Sequence, residues 1–431
     1  MKITIIGSGL AGSEAAYQCA EAGLRVDLYE MRPHHRSPAH QTDKAAELVC
    51  SNTFRSNDLK NAVGVMKEEM RLHGSLIMRC ADAHRVPAGG ALAVDREGFS
   101  GAVHDALLAH PNITIIHEKI TAIPEGPTMI ATGPLTDPEL MESIRQFTGE
   151  DSAYFFDAAA PILDASTIDR SICFQASRYD DGEGDYLNCP MDEAQYLAFH
   201  EALTTAETVP LKDFELKVFE GCMPIETMAS RGLETMRFGP LKPVGLTQQG
   251  KQHHAVVQLR QDDARATMYN IVGFQTHLKF GEQKRIIRMI PGLENAEIIR
   301  YGVMHRNSFI NGPNILNAFY QTKTRADLYI IGQLAGVEGY VESAASALVA
   351  SSHAIAVAHG QEPKPFPVES VIGAQADYIA HAPMKHFQPM NANFGLLPSL
   401  EYKHKKKERK ELMAQRALEA MKGYLDERVS V

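Results

Sequence analysis

The chain has 431 residues, 44% of them hydrophobic and 22% charged, which suits two or three domains with a sizeable core. A formal net charge of −10 excludes a generally basic nucleic-acid binder, so a polyanion has to meet a local patch. There is no run of about 18 apolar residues, so no membrane span is expected. The first residues already read as a strand, which leaves no room for a signal peptide.

In chain order, the apolar run Ile3–Ile6 breaks at Gly7, and Gly7, Gly9 and Gly12 follow in GxGxxG spacing. A small-residue helix is expected from Ser13 to Gly23, then a strand from Arg25 to Tyr29 that ends on Glu30. This is a βαβ dinucleotide fingerprint. Gly7 permits the tight turn, Gly9 lets the backbone approach a pyrophosphate, and Gly12 lets helix and strand pack closely. With Leu10 and Ala11, these residues would present free N–H groups to the pyrophosphate at a helix N-terminus. Glu30, with Arg32 beside it, lies 18 residues past Gly12 and is placed for a ribose diol, which argues against a 2′-phosphate. The fingerprint alone does not choose between NAD and FAD. FAD is favoured by the position of the motif at the start of the chain. It is also favoured by a late stretch, YIIGQLAGVEG, in which an apolar strand runs into Gly332, Gln333, Gly336 and Gly339; flavoproteins of the glutathione-reductase type close their site in this way.

Pro33–Asp43 reads as a loop whose His34, His35 and His40 are solvated or near the flavin; no partner at ligand spacing supports a metal. Beyond Ala45–Asn61 comes a helix ending near His73, a turn at Val86–Gly90, a helix over Phe99–Ala109, and strands over Ile113–Ile123 and Thr128–Gly133. The pattern then changes. A helix is expected over Asp137–Phe147, a solvated acidic loop at Asp180–Asp185, a helix over Met191–Thr205, and strands over Phe214–Glu220, His253–Arg260 and Met268–Thr276. Glu338–His359 reads as an alanine-rich helix, and Tyr402–Val431 as a charged helical tail. The fold class is therefore α/β: a glutathione-reductase-like Rossmann FAD-binding domain (1–135 and 326–431) with an inserted α+β substrate or RNA domain at 136–325.

The six cysteines (Cys19, Cys50, Cys80, Cys173, Cys189 and Cys222) have no CxxC spacing, which points to a cytoplasmic chain without structural zinc. Cys222 follows a strand into a Gly/Pro-bounded turn, and Cys50 lies in a polar loop, the kind of place where reactive groups are mounted. Cys19 reads as core, whereas Cys80, Cys173 and Cys189 have no distinctive setting. For RNA, the best basic run is Lys403, Lys405, Lys406, Lys407, Arg409 and Lys410, with Lys284, Arg285 and Arg288 as a smaller group; a solvated helix face is the competing meaning.

The stretches GSGLAGSEAA, ELVCSNTFRS, FEGCMPIE, HRNSFIN and GQLAGVEGYVESAAS resemble the bacterial folate- and flavin-dependent tRNA uracil-5 methyltransferases. The resemblance implies T-loop 5-methyluridine formation from 5,10-methylenetetrahydrofolate, with FAD as carrier and reductant, NADH or NADPH regenerating it, and no obligate protein partner. It implies that Cys222 is the nucleophile that attacks uracil C6 and that Cys50 helps to remove the C5 proton. It also places His305, Arg306, Asn307 and Tyr340 around flavin and folate, although a buried structural Tyr and a surface strand end explain these residues as well. The tRNA wobble-uridine flavoproteins share the flavin-domain pattern but carry a further C-terminal helical domain. Three other readings stay open: the same chemistry on a ribosomal-RNA uracil, a small-molecule flavin oxidoreductase, and a non-catalytic flavin-stabilised RNA-binding module.

Overall fold

The computed structural model describes residues 1–150, 153–178, 184–210 and 223–429. Its first sheet has five parallel strands in the spatial order Leu328–Ile330, Thr128–Ile130, Lys2–Ile6 (β1), Arg25–Glu30 (β2) and Ile113–His117. Ile3, Ile5 and Ile6 are all buried, as a parallel strand covered on both faces requires. The order reverses on either side of β1, so a crevice opens beyond its carboxyl end, the place where such sheets bind ligands. This is the expected α/β class.

Helix α1, Leu10–Glu21, packs against the helix Tyr340–Ala358. Both are rich in alanine, and Ala15, Ala16, Ala344, Ala345 and Ala347 are fully buried; small side chains allow the two backbones to approach closely. The helix Tyr340–Ala358 is long and apolar enough to cross a membrane, but 72% of that window is buried inside the protein, the setting of a core helix. Two buried carboxylates fix neighbouring helices. Glu14 accepts from the N–H groups of Leu76 and Ile77, and Glu69 from those of Val371 and Ile372, each at a helix N-terminus whose first N–H groups have no partner within the helix.

The second sheet is antiparallel and has six strands, ordered Phe174–Ala176, Tyr186–Met191, Ala255–Gln261, Met268–Ile271, Ile162–Asp164 and Ile298–Arg300. The helix Glu193–Thr205, opened by a capping box between Asp192 and Gln195, buries Tyr196 and Phe199 in the core of this sheet together with Ile286 and Ile287. Strands Ala153–Ala158 and Met304–Phe309 pair with each other as a separate ribbon.

Several expectations need correction. The first helix starts at Leu10 with Gly9 as its N-cap, so Gly12 lies within its first turn. The strand expected over Ile113–Ile123 ends at His117, where its partner β2 ends at Glu30. A helix over Leu76–Ala83 was not foreseen. The tail helix begins at Arg409, so Lys403, Lys405, Lys406 and Lys407 precede it. Cys173 and Cys189 do have a distinctive setting: both are buried and their Sγ atoms lie 3.4 Å apart. The expected strand Phe214–Glu220 and most of the acidic loop lie outside the described residues.

Candidate functional site

A cavity opens at the carboxyl end of β1, the place where sheets of this kind hold ligands. One end of the cavity is the turn into α1. Gly7 adopts φ +98° and donates its N–H to Tyr29 O at 2.7 Å. A Cβ on Gly9 would meet nothing within 4 Å, so the backbone there is bare toward the cavity. A Cβ on Gly12 would lie 1.8 Å from Gly7 O, so Gly12 serves helix–strand packing and does not line the wall. Leu10 and Ala11 line it with the first N–H groups of the helix, which have no partner within the helix.

Glu30 and Arg32 form the side wall. Both Glu30 oxygens are already engaged. Oε2 accepts from Ser8 N, Ser8 Oγ and Arg32 Nη2, and Oε1 from Arg32 N and Nε. Burial works against the Glu30 charge, but the hydrogen bonds and charge of Arg32 outweigh it and hold the carboxyl at about 2. Glu30 is therefore a fixed anion saturated by protein donors, and a diol reaches it only by displacing one of them, such as the Ser8 hydroxyl. Arg32 is 1% exposed and also donates to Thr42 O and Lys44 O, so it ties β2 to the following loop. Of the three loop histidines, His34 and His35 are exposed and His40 reaches the cavity. Burial and then the charge of Arg32 push His40 down to about 4, which leaves it neutral near pH 7. No cluster of three or more metal-ligating side chains occurs among the described residues.

The far wall comes from the late stretch. Gly332, Gln333, Tyr340 and Ser343 line the cavity. Gly332, at φ +72°, donates its N–H to Ser346 Oγ at 2.8 Å. Gly336 and Gly339 do not line it: a Cβ on Gly336 would meet the Phe387 ring at 2.4 Å, and one on Gly339 would meet Glu342 Oε2 at 2.4 Å. Both are packing and turn positions.

Tyr340 connects this wall to Cys50. Its hydroxyl accepts from Cys50 N at 2.8 Å and Ser51 N at 3.3 Å. Cys50 is half-buried, and its thiol donates to Ala158 O at 3.6 Å. Three arginines hold the rest of the loop. Arg96 donates to Leu48 O, Arg300 to Val49 O at 2.8 Å, and Arg260 to Ser51 Oγ at 2.9 Å and Asn52 Oδ1 at 3.0 Å. None of the three arginines stood out in the sequence, because an isolated Arg in a strand or at a helix start carries no local signal.

Residues 2–362 match the family "Glucose inhibited division protein A". The chain is 61% identical over 431 residues to the protein of Exiguobacterium sibiricum named methylenetetrahydrofolate–tRNA-(uracil-5-)-methyltransferase TrmFO, covering 99% of each chain. It is 62% identical over 422 residues to the protein of that name from Enterococcus faecalis, covering 97% of each. The chain belongs to the TrmFO family. Among solved structures, GidA of Aquifex aeolicus matches with a TM-score of 0.70 at 17% identity, over 98% of this chain and 73% of that one; at that identity the likeness concerns the fold.

Tyr340 lines the cavity and contacts the Cys50 loop. Asn307 is buried on the strand Met304–Phe309 and does not line the cavity, although Ser308 beside it donates its N–H to the lining residue Pro134 at 2.9 Å. His305 and Arg306 pair through their backbone with Asp157 and Phe156. Cys222 lies outside the described residues. Cys19 is fully buried in α1, and burial pushes its thiol up to about 12. Lys403, Lys405, Lys406, Lys407, Arg409 and Lys410 are all exposed. In the smaller group, Lys284 is exposed, Arg285 pairs with Glu282 at 2.5 Å, and Arg288 donates to Ala296 O.

Proposed function

We propose that the protein methylates C5 of a uridine in the T-loop of tRNA, taking the carbon from 5,10-methylenetetrahydrofolate and the electrons from NADH or NADPH through FAD. Uracil C5 is a weak nucleophile. A thiolate that adds to C6 converts the base to an enolate whose C5 attacks carbon, and Cys222 is assigned that role. Cys50 is assigned removal of the C5 proton. Methylenetetrahydrofolate carries carbon at the formaldehyde level, and bound FAD supplies the two electrons that make it a methyl group.

The residues present fit FAD. Bare backbone at Gly9 and the N–H groups of Leu10 and Ala11 would hold the pyrophosphate, Arg32 and Glu30 would border the ribose, and Gly332 and Gln333 would close the opposite side. Tyr340 would keep the Cys50 loop against the flavin end. The exposed lysines before the tail helix would meet phosphates. The observation that carries this reading is the double placement of Tyr340, on the cavity wall and on the N–H of Cys50, in a chain about 60% identical to the named methyltransferases.

The test uses tRNA containing 5-fluorouridine, whose C5 substituent cannot leave as a proton. Wild type should form a denaturation-resistant protein–RNA adduct, Cys222→Ala should not, and Cys50→Ala should still form one. Adduct formation by Cys222→Ala would overturn the assignment.

A further inference from the structure

We infer that Arg260, supported by Arg96 and Arg300, is a positioning residue that fixes the Cys50 loop from the second sheet and so sets where its thiol stands. The inference rests on the reading that this loop carries a reacting thiol. Residues 48–51 belong to neither helix nor strand, so the ladder bonds that hold regular backbone are missing there; the next residue, Asn52, accepts from Val94 N at 2.9 Å. Long side chains from remote elements replace them residue by residue. Leu48 O takes Arg96, Val49 O takes Arg300, the N–H groups of Cys50 and Ser51 go to Tyr340, and Ser51 Oγ and Asn52 Oδ1 take Arg260. Asn52 returns the contact by donating from Nδ2 to Gln261 O at 3.0 Å, so loop and strand are tied in both directions across 209 residues of sequence.

The arrangement is costly as packing. Arg260 is 7% exposed. The charge of Arg96 disfavours those of Arg260 and Arg300, and Asp262, which pairs with Arg96 at 2.7 Å, opposes that repulsion. Burying like charges in this way is unfavourable compared with apolar residues of similar volume, so stability does not explain it. Geometry does. Arg260 reaches Asn52 from Nε and both Ser51 and Asn270 from Nη2, a planar fork that a lysine ammonium cannot reproduce. A displacement of the strand Ala255–Gln261 would carry the thiol with it.

The experiment compares R260Q, R260K and, as a control on an exposed arginine of the following turn, R265Q. Two readouts are taken on the full-length flavoprotein: hydrogen exchange of the peptide spanning 46–56, and kcat and KM for methyl transfer to tRNA. R260Q should speed exchange of that peptide and lower kcat by about tenfold or more, with KM within about twofold and FAD content unchanged. R260K, which keeps the buried charge and supplies a variant should R260Q not fold, should fall between R260Q and wild type; R265Q should match wild type. Unchanged exchange in both Arg260 variants, or a rise in KM at constant kcat, would overturn the inference. Should wild type itself transfer no methyl group, the functional reading fails, and the exchange data still decide whether Arg260 holds the loop.

Discussion

The Tyr340 hydroxyl accepts the backbone N–H of Cys50 at 2.8 Å, across 290 residues of sequence. Tyr340 opens the long alanine-rich helix, and its ring lies beside Phe54 at 6.0 Å. Burial, then the neighbouring Cys50, raises its pKa well above the ordinary phenol value, so the oxygen stays a neutral acceptor. One side chain thus serves both the cavity and the loop.

Tyr340→Phe keeps the ring and removes the acceptor from two N–H groups. An unpaired buried donor costs about 1–3 kcal/mol. The variant should keep FAD, melt a few degrees lower, and lose most methyl transfer. Thermal melting combined with flavin absorbance checks this; unchanged turnover would show that the two N–H groups are satisfied without Tyr340.

The glycines of the fingerprint should separate by role. Gly9→Val places its branch in open space and should fold normally but lose FAD, because the side chain fills the approach to the pyrophosphate. Gly12→Ala drives a methyl into Gly7 O and should cost about 3 kcal/mol or more of stability. A Gly9→Val protein that purifies with stoichiometric FAD would contradict the first claim, and a Gly12→Ala protein with wild-type melting the second.

Glu69 makes stability depend on pH. Burial pushes its carboxyl from 4.5 up to about 8, against the two N–H bonds from Val371 and Ile372. Its folded pKa is raised, so its contribution is fully present below 4.5 and is lost as pH rises toward 8, by at most about 1.4 kcal/mol per pH unit. Lys67, on the same helix, is pushed by burial and then Arg55 down to about 7; its contribution is present above 10.5 and is lost as pH falls through 7. Between pH 5 and 7 the Glu69 slope should therefore dominate. The melting temperature of Glu69→Gln relative to wild type should rise across that interval, and a constant difference would refute the assignment.

Replacing Lys405, Lys406 and Lys407 with Glu should weaken tRNA binding and flatten its salt dependence, with flavin reduction by NAD(P)H unaffected. Filter binding at low and high salt measures this. Affinity equal to that of wild type at both salt concentrations would make the segment a solvated turn.

The local parts of the fold were legible because their causes are local. Gly7 marks a turn at φ +98° that favours glycine, Gly12 a helix–strand contact too close for a Cβ, and the buried isoleucines of β1 announce a parallel strand. The over-long strand at Ile113–Ile123 shows the limit: the apolar pattern continues, but pairing stops where β2 stops. The proximity of Cys173 and Cys189 depends on the register Phe174–Asn188, which no motif encodes. The arginines at Leu48, Val49 and Ser51 arrive from elements about 50 to 250 residues away. Their effect is tertiary, so the site was legible at its glycines and cysteines but not in what holds those cysteines in place.

The central claim is most directly tested by the origin of the new methyl carbon. The protein should be incubated with unmodified tRNA, NADPH and 5,10-methylenetetrahydrofolate labelled with ¹³C at the methylene, and the tRNA digested to nucleosides for mass spectrometry. Labelled 5-methyluridine, formed only with protein and reductant present, is the predicted result. Absence of 5-methyluridine, or 5-methyluridine without the label, would contradict the account.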